Sequence, residues 1–160
     1  MSTGWRYLPI SMLLVIADQW SKALVESRLA MYESVRVMPM LDITRAHNSG
    51  AAFSFLADAG GWQRWFFTVL ALAVSAALVV WLRKLVLPAQ RLLALGLTSI
   101  LAGAIGNVID RIRFGHVVDF VHVHWGAAYF PAFNVADAAI SVGAGIILLD
   151  AWLEWRRERR

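Results

Sequence analysis

Residues Trp65 to Leu82 read WFFTVLALAVSAALVVWL, a run of 18 residues without a charged side chain, and Arg83 and Lys84 follow it directly. A helix needs about 20 mainly apolar residues to span the hydrocarbon core of a bilayer. Basic residues next to such a run are typical of its cytoplasmic end. The stretch therefore predicts a transmembrane helix whose C-terminal end faces the cytoplasm.

Three further stretches have the same apolar character and predict helices over about Trp5 to Leu29, Leu92 to Ile109 and Val135 to Trp155. Hydrophobic residues make up 59% of the chain and charged residues 16%, whereas proteins average roughly 45–50% and 25%. A length of 160 residues suits a single domain, which we place over residues 1–160. The predicted fold class is an all-α membrane protein with four transmembrane helices.

Charge and cysteine content exclude several classes of function. The formal net charge is +4, but the basic residues gather at the ends of the apolar stretches, whereas a nucleic-acid-binding protein would spread them over one face. Cysteine is absent from the sequence, which excludes disulfides, thiolate metal ligands and a cysteine nucleophile. Asp18 and Lys22 interrupt the first apolar stretch and no small-x-small cleavage site follows it, so we expect this segment to stay attached.

The basic residues also predict the orientation of the helices. Those that flank the helices on one side are Arg6, Arg83, Lys84, Arg91 and the C-terminal arginines. We assign this side to the cytoplasm, together with both termini. The two longer loops then lie outside.

The two outer loops have the composition of strands, over about residues 35–56 and 116–130. In the second loop apolar residues alternate strictly along the chain and place Asp119 among valines on one face. The first loop contains Phe53 and Phe55 on a shared face, and we hypothesise that its hairpin lies on the membrane surface and helps to cover the site. We expect the two loops to build a small periplasmic β-sheet.

Small and polar residues recur at helical spacing on two of the predicted helices. On the third helix this stripe consists of Gly96, Ser99, Gly103, Gly106 and Asp110. On the fourth it consists of Asn134, Asp137, Ser141 and Gly145. Small residues allow close helix packing, so we expect the stripes to face each other or a shared cavity. Packing explains the glycines and serines, whereas the asparagines and aspartates indicate a functional site.

Asp119 and Asp137 lie just before and just inside the fourth helix, at the membrane boundary. A charge moved into hydrocarbon costs on the order of 3 kcal/mol even on lenient scales, so an acid there indicates function. Two carboxyl groups a few Å apart share one proton, because like charges that close cannot both ionise. One can then activate water while the other protonates a leaving amine. Which of the two is the base stays open, since the titration belongs to the pair.

Five blocks of sequence carry a resemblance to a known family. They are Asp18-Gln19-Trp20-Ser21-Lys22, Asn48-Ser49-Gly50-Ala51-Ala52-Phe53, Gly106-Asn107-Val108-Ile109-Asp110-Arg111, Val118-Asp119-Phe120 and Phe133-Asn134-Val135-Ala136-Asp137. In this order and at these places relative to the helices, they resemble the motif set of the bacterial lipoprotein signal peptidases, also called signal peptidase II. The resemblance implies an aspartic endopeptidase of the inner membrane that cleaves the signal peptide of a prolipoprotein just before its diacylglyceryl-modified Cys.

The resemblance also implies the catalytic residues and the partners. The family's catalytic pair falls on Asp119 and Asp137, and no cofactor is implied. The expected partners are lipidated prolipoproteins, membrane phospholipid and the inhibitory cyclic peptide globomycin. We expect a monomer whose active site lies near the periplasmic face of the membrane.

Other residues of these blocks suit substrate binding or support of the site, namely Asn48, Gly50, Asn107, Asp110, Arg111 and Asn134. The side-chain amides of Asn48, Asn107 and Asn134 stay neutral in a low-dielectric site and can bind the substrate backbone or orient the aspartates. For Arg111 two roles stay open, namely contact with a carbonyl or lipid head group and an ion pair with Asp110.

Three residues of the first two blocks suit structural roles. Asp18 and Lys22 lie four residues apart, on one helix face, and predict an ion pair or a brace for the outer loop. Gly50 predicts a turn that a Cβ would hinder.

The four histidines are His47, His116, His122 and His124. A zinc site needs three or four converging ligands, and the sequence contains no HExxH or comparable helical spacing. We therefore expect histidines at the interface or the surface, and no metal site.

Three other classes of function fit the residues less well. A proton-coupled carrier would also place polar residues inside a helix bundle, but here they cluster at one end and no inverted repeat is present. A structural protein would leave the two aspartates without a role. A presenilin-like protease would hold its acids deep within two helices, whereas Asp119 precedes the fourth helix.

Overall fold

The computed structural model describes residues 3–50, 60–126 and 128–159. Its helices are α1 (Leu8–Arg28, preceded by a 3-10 turn, Gly4–Tyr7), α2 (Trp62–Lys84), α3 (Arg91–Phe114) and α4 (Val135–Glu158). Its strands are β1 (Ser34–Met38), β2 (Leu41–Asn48), β3 (Val117–Trp125) and β4 (Ala128–Tyr129). The predicted fold class, four long apolar helices with a small sheet built from the two loops, is confirmed.

All four helices are long and apolar enough to cross a membrane. Many of their large apolar side chains face outward, and Leu13, Trp20 and Leu148 are 64%, 67% and 72% exposed. An exposed apolar surface of this extent is typical of a region that contacts lipid. The chain is therefore a multi-pass membrane protein.

α3 is the central helix, and the other three helices pack around it. Its contact with α4 is closest at glycines, since a Cβ at Gly96 would lie 2.9 Å from the carbonyl oxygen of Gly143. A Cβ at Gly103 would collide with the carbonyl oxygen of Ala136. The prediction that small residues of α3 face α4 is thus confirmed.

The predicted stripe on α4 is only partly right. The residues that meet the glycines of α3 are Ala136, Ile140, Gly143 and Ile147. Ser141 instead lines a cavity, and a Cβ at Gly145 would meet nothing within 4 Å. Asn134 and Asp137 do meet α3, because both bond the side chain of Asn107. Successive residues of a helix point about 100° apart, so Ser141 and Gly145 lie beside the packing face rather than on it.

Three helices extend further than predicted, and α4 does so at its C-terminal end, Glu158. α3 continues beyond Ile109 and ends at Gly115, whose φ of +87° is the left-handed conformation that glycine adopts readily. Asp110 and Arg111 are part of the helix, where both side chains are buried and bond partners from other elements. α2 also begins earlier, at Trp62.

The strands form one sheet in the order β1-β2-β3-β4, with antiparallel pairing throughout. In the pair β2 and β3, Ala46 lies opposite Asp119 and Asn48 opposite Val117. Residues 117–120 are all buried, because α1 and α3 also contact this end of β3. The strict alternation in the sequence therefore does not produce a buried and an exposed face in this part of the strand.

The hairpin predicted for the first outer loop is formed by β1 and β2. β2 ends at Asn48. The hypothesis that Phe53 and Phe55 cover the site concerns residues 51–59, which lie outside the described residues.

Candidate active site

Asp119 lies in the buried half of β3 and is 3% exposed. Both of its carboxylate oxygens accept hydrogen bonds from asparagine side chains. Oδ1 accepts from Asn134 Nδ2 at 2.7 Å, and Oδ2 accepts from Asn48 Nδ2 at 3.1 Å. Since Asn48 ends β2 and Asn134 precedes α4, three parts of the fold meet at this carboxyl group.

Asp137 lies in the first turn of α4 and forms a capping box with Asn134. Asn134 Oδ1 accepts from the backbone N–H of Asp137 at 2.9 Å, and Asp137 Oδ2 accepts from the backbone N–H of Asn134 at 3.3 Å. The other oxygen, Asp137 Oδ1, accepts from Asn107 Nδ2 at 2.8 Å. A negative charge at this position is also stabilised by the N-terminal end of the helix dipole.

The two carboxyl groups interact electrostatically. Burial, and next the negative charge of Asp137, raise the pKa of Asp119 from 3.8 to about 7. The hydrogen bonds from Asn48 and Asn134 and the charge of Lys22 act in the opposite direction, because they stabilise the carboxylate. Asp119 therefore binds a proton more readily than an exposed carboxyl group does.

Lys22 is a buried cation that ties α1 to α3. Its ammonium group lies 2.8 Å from both Asp18 Oδ2 and Asp110 Oδ2, and it donates to Asn107 Oδ1 at 3.2 Å. These contacts use the three donors of the ammonium group. Asn107 also donates to Asp137, so the side chain of Asn107 links Lys22 to the candidate pair.

Asp18 extends this network to α4. Its Oδ1 accepts from the backbone N–H of Ala136 at 2.8 Å. The close approach requires glycine at position 106, because a Cβ at Gly106 would lie 2.7 Å from Asp18 Oδ2. Asp110 accepts from the backbone N–H of Val118 at 3.2 Å. Together these bonds hold α1, α3, α4 and β3 around the two aspartates.

Gln19 belongs to the same network, although the sequence suggested no role for it. Its Nε2 donates to Asp110 Oδ1 at 2.8 Å and to the carbonyl oxygen of Gly106 at 3.2 Å. Its place between Asp18 and Lys22 in the first sequence block was the available signal.

Arg111 contacts backbone carbonyls rather than Asp110 in the described part of the chain. Its Nη2 donates to the carbonyl oxygen of Gly50 at 3.1 Å, and its Nη1 to that of Asn107 at 3.4 Å. The guanidinium carbon also lies 5.5 Å from the centre of the Phe67 ring. The predicted ion pair with Asp110 is not among these contacts, and the role in binding a substrate carbonyl or lipid head group stays a prediction.

A cavity of about 950 Å³ lies beside the two aspartates. Its polar end is formed by Asp119, Asp137, Asn107 and Arg111. Its apolar walls come from α2, α3 and α4 and include Phe67, Leu70, Val74, Ile100, Ile140 and Val142. Within the described ranges, α2 and α4 both pack on α3 but share no extended contact with each other. The cavity therefore lies between these two helices.

The histidines are less exposed than predicted. His124 is 6% exposed, so the expectation of a surface position is wrong for this residue. The rings of His47 and His116 stack with centroids 3.7 Å apart, and burial, and next His47, lower the pKa of His116. Both rings lie close to Glu26 of α1, a residue outside all five sequence blocks and therefore missed.

Comparison with known proteins identifies close relatives. Residues 10–153 match the family model of Signal peptidase (SPase) II. The lipoprotein signal peptidase of Pseudoalteromonas translucida (strain TAC 125) is 50% identical over 151 residues, which cover 94% of this chain and 90% of the relative. That of Ectopseudomonas mendocina (strain ymp) is 51% identical over 146 residues, which cover 90% and 86%.

Two solved structures have the same fold. A bacterial membrane enzyme solved by the in meso method at 2.3 Å resolution aligns with a TM-score of 0.84 at 30% identity, over 97% of this chain and 92% of the other. A second one, at 1.9 Å resolution, aligns with a TM-score of 0.77 at 31% identity, over 90% of each chain. The family resemblance stated from the sequence is thereby confirmed.

Proposed function

Because this chain belongs to the signal peptidase II family and is a membrane peptidase that removes the signal peptides of prolipoproteins, we propose that Asp119 and Asp137 are its catalytic pair. The observation that carries the proposal is their connection through one residue: Asn134 bonds the carboxyl groups of both. The pair lies at the polar end of the large cavity. Other buried acids, Asp18 and Asp110, are paired with Lys22 instead.

The two carboxyl groups divide the acid and base roles. Asp137 is the base, since Asn107, the backbone of Asn134 and the helix dipole stabilise its carboxylate. Asp119 is the acid, since burial beside Asp137 keeps a proton on it near neutral pH.

The reaction follows from these roles. Asp137 takes a proton from water as the water oxygen bonds to the carbonyl carbon of the scissile peptide. Protonated Asp119 donates a hydrogen bond to the carbonyl oxygen during this step. The leaving nitrogen takes a proton from the pair as the C–N bond breaks.

Substrate enters from the lipid, between α2 and α4. The gap between these helices leads into a cavity with apolar walls and one polar end. Such a cavity suits a signal peptide whose next residue is a diacylglyceryl-modified Cys, because acyl chains and the apolar peptide segment occupy the walls while the scissile bond meets the polar end. Cleavage occurs just before the lipidated Cys.

The enzyme lies in the bacterial inner membrane with both termini in the cytoplasm. Support comes from the basic residues Arg83, Lys84, Arg156 and Arg157, which end α2 and α4, at the opposite end of the bundle from the sheet and the aspartates. The active site then faces the periplasmic side. We further expect contact with phospholipid along the exposed apolar side chains, a monomeric enzyme, and inhibition by globomycin.

The decisive experiment compares wild type with Asp119→Asn and Asp137→Asn, purified in detergent, on a diacylglyceryl-modified prolipoprotein. Each change is expected to lower kcat at least about 100-fold, because each removes one acid–base partner. Asp150→Asn, at the other end of α4, is the matched control and should cleave at the wild-type rate. Normal cleavage by either of the first two variants, with folding verified, would refute the pair.

A second substrate tests the specificity. An unlipidated precursor should be cleaved much more slowly than the lipidated one. Equal efficiency on both would contradict the proposed substrate class and leave the catalytic pair untouched.

A further inference from the structure

Glu26, His47 and His116 converge in a cluster that does not include the two aspartates. Glu26 lies near the end of α1, His47 near the end of β2, and His116 between α3 and β3. One nitrogen or oxygen atom from each side chain lies within 4.8 Å of the others. His47 Nε2 lies 3.3 Å from Glu26 Oε1. This set, the Glu26 cluster, thus brings together three parts of the fold that are distant in sequence.

One nitrogen of each histidine in this cluster is buried without a hydrogen bond. Among the described residues, neither His47 Nε2 nor His116 Nε2 makes a hydrogen bond, and the approach of His47 to Glu26 does not have hydrogen-bond geometry. A buried polar atom without a partner costs about 1–3 kcal/mol. Two such atoms, of which His47 Nε2 lies 3.3 Å from Glu26 Oε1, are explained if both histidines and Glu26 bind the same ion.

Arg45 is the cation that faces the cluster. Its Nη2 lies 3.4 Å from Glu26 Oε1. Its Nη1 is held by two backbone carbonyls, that of Leu29 at 3.2 Å and that of Glu26 at 3.4 Å. Arg45 therefore stays anchored when Glu26 turns its carboxylate toward another cation.

We propose that Glu26, His47 and His116 bind one divalent transition-metal ion of the zinc type. Two imidazole nitrogens and one carboxylate oxygen are ligands that Zn²⁺ accepts, whereas Mg²⁺ and Ca²⁺ require sites built from oxygen alone. Three protein ligands leave a fourth position for water. Because the two rings stack at an interplanar angle of 20°, at least one of them must turn about χ2 for both to bind the ion.

The metal is separate from the catalytic pair and acts on the fold around it. None of its ligands contacts Asp119 or Asp137 in the described part of the chain. However, His47 lines the cavity and precedes Asn48, which donates to Asp119. An ion at this place cross-links α1, β2 and the α3–β3 connection, and so stabilises the outer sheet.

The test uses the full chain, purified in detergent without a polyhistidine tag and stripped with EDTA. Isothermal titration with Zn²⁺ is expected to show one ion per chain, and titration with Mg²⁺ none. Glu26→Gln and His116→Gln should each weaken Zn²⁺ binding at least about 100-fold, since even the loss of an outer-shell partner costs 10–100-fold. His122→Gln, on β3 outside the cluster, is the matched control and should bind as wild type does.

Two further measurements keep the test decisive. Thermal unfolding without metal identifies a variant that fails to fold, and Zn²⁺ should raise the unfolding temperature of wild type and the control only. X-ray absorption of the zinc-loaded wild type should show two imidazole ligands and oxygen at about 2.0–2.2 Å. Absence of Zn²⁺ binding, undiminished binding by the folded cluster variants, or a spectrum without imidazoles would each overturn the proposal.

Discussion

The side chain of Asn134 donates to Asp119 at 2.7 Å, while the backbone N–H of the same residue donates to Asp137 at 3.3 Å. A helix cap and the alignment of two carboxyl groups thus depend on one residue. The start of α4 and the proposed catalytic pair are positioned together.

This double role of Asn134 can be separated by substitution. Asn134→Ser retains a residue that caps helices well, whereas Asn134→Ala loses the cap at about 1 kcal/mol. Both lose the bond to Asp119, so both should lower kcat by tenfold or more. Thermal unfolding should then distinguish the variants while activity does not. A wild-type kcat for Asn134→Ser would show that the bond to Asp119 has no role in positioning.

The pH dependence of cleavage follows from the raised pKa of Asp119. The active form of the pair holds one proton, and burial and Asp137 raise the pKa of Asp119 to about 7. We therefore expect kcat/KM to fall as the pH rises through about 7. Asn48→Ala removes a bond that lowers this pKa, so it should move the alkaline limb to higher pH. If the alkaline limb of Asn48→Ala lay at the same pH as that of wild type, the limb would not report the titration of Asp119.

Stability should depend on pH through the same residue. Because the pKa of Asp119 is raised in the folded state from 3.8 to about 7, its protonation stabilises the fold at low pH, and this contribution is lost as the pH rises through about 7. Asp119→Asn should remove this part of the pH dependence. The measurement is the unfolding temperature in detergent between pH 4 and pH 8. If the unfolding temperature of Asp119→Asn depends on pH as that of wild type does, another group is responsible for the pH dependence.

Lys22 balances two buried carboxylates, those of Asp18 and Asp110. Breaking a buried ion pair by removing one partner costs about 3–5 kcal/mol, because the remaining charge is uncompensated. Lys22→Met should therefore reduce the yield of folded protein and the unfolding temperature. Adding Asp110→Asn to Lys22→Met should restore part of the loss. Lys84→Met, at the exposed end of α2, is the control and should have little effect.

Close packing of α3 on α4 can be tested at two glycines. Gly103→Ala places a Cβ against the carbonyl oxygen of Ala136 and should lower stability by about 1–3 kcal/mol. Gly145→Ala meets nothing within 4 Å and is the matched control. The measurement is thermal unfolding in detergent. Equal stability of the two variants would mean that α3 and α4 separate easily.

Removal of metal separates the catalytic pair from the Glu26 cluster. Two carboxyl groups need no metal to activate water, so cleavage should persist in EDTA, while the unfolding temperature falls to that of the metal-free protein. If EDTA abolished cleavage in a protein that stays folded and Zn²⁺ restored it, the expectation of a metal-independent reaction would be wrong.

The four helices are the part of this protein that sequence patterns predict best. A long apolar run must be helical in lipid, because every backbone polar group has to be satisfied within the segment. The expectation for α1 to α4 was therefore right although no tertiary contact was known. Asp119 and Asp137 were singled out because a charge in hydrocarbon is costly; both line one cavity, and their catalytic role stays a prediction.

Side-chain partners were predicted less well, because they depend on contacts between distant segments. Arg111 was expected to pair with Asp110 or bind a substrate group, yet it donates to the carbonyl of Gly50, 61 positions away. The end of α3 was placed at Ile109, because buried partners for the next charged residues were unknown.

The amino-acid sequence by itself determined the membrane setting, the four helices, the two strand-forming loops and the family, since hydrophobicity, charge and local motifs are properties of short segments. Only the tertiary structure decided which face of α4 meets α3, how Asn134 joins the two aspartates, and that Glu26 approaches His47 and His116. These relationships depend on the relative rotation and depth of packed elements. Periodicity along one segment specifies a face, but contact with a partner decides what that face meets.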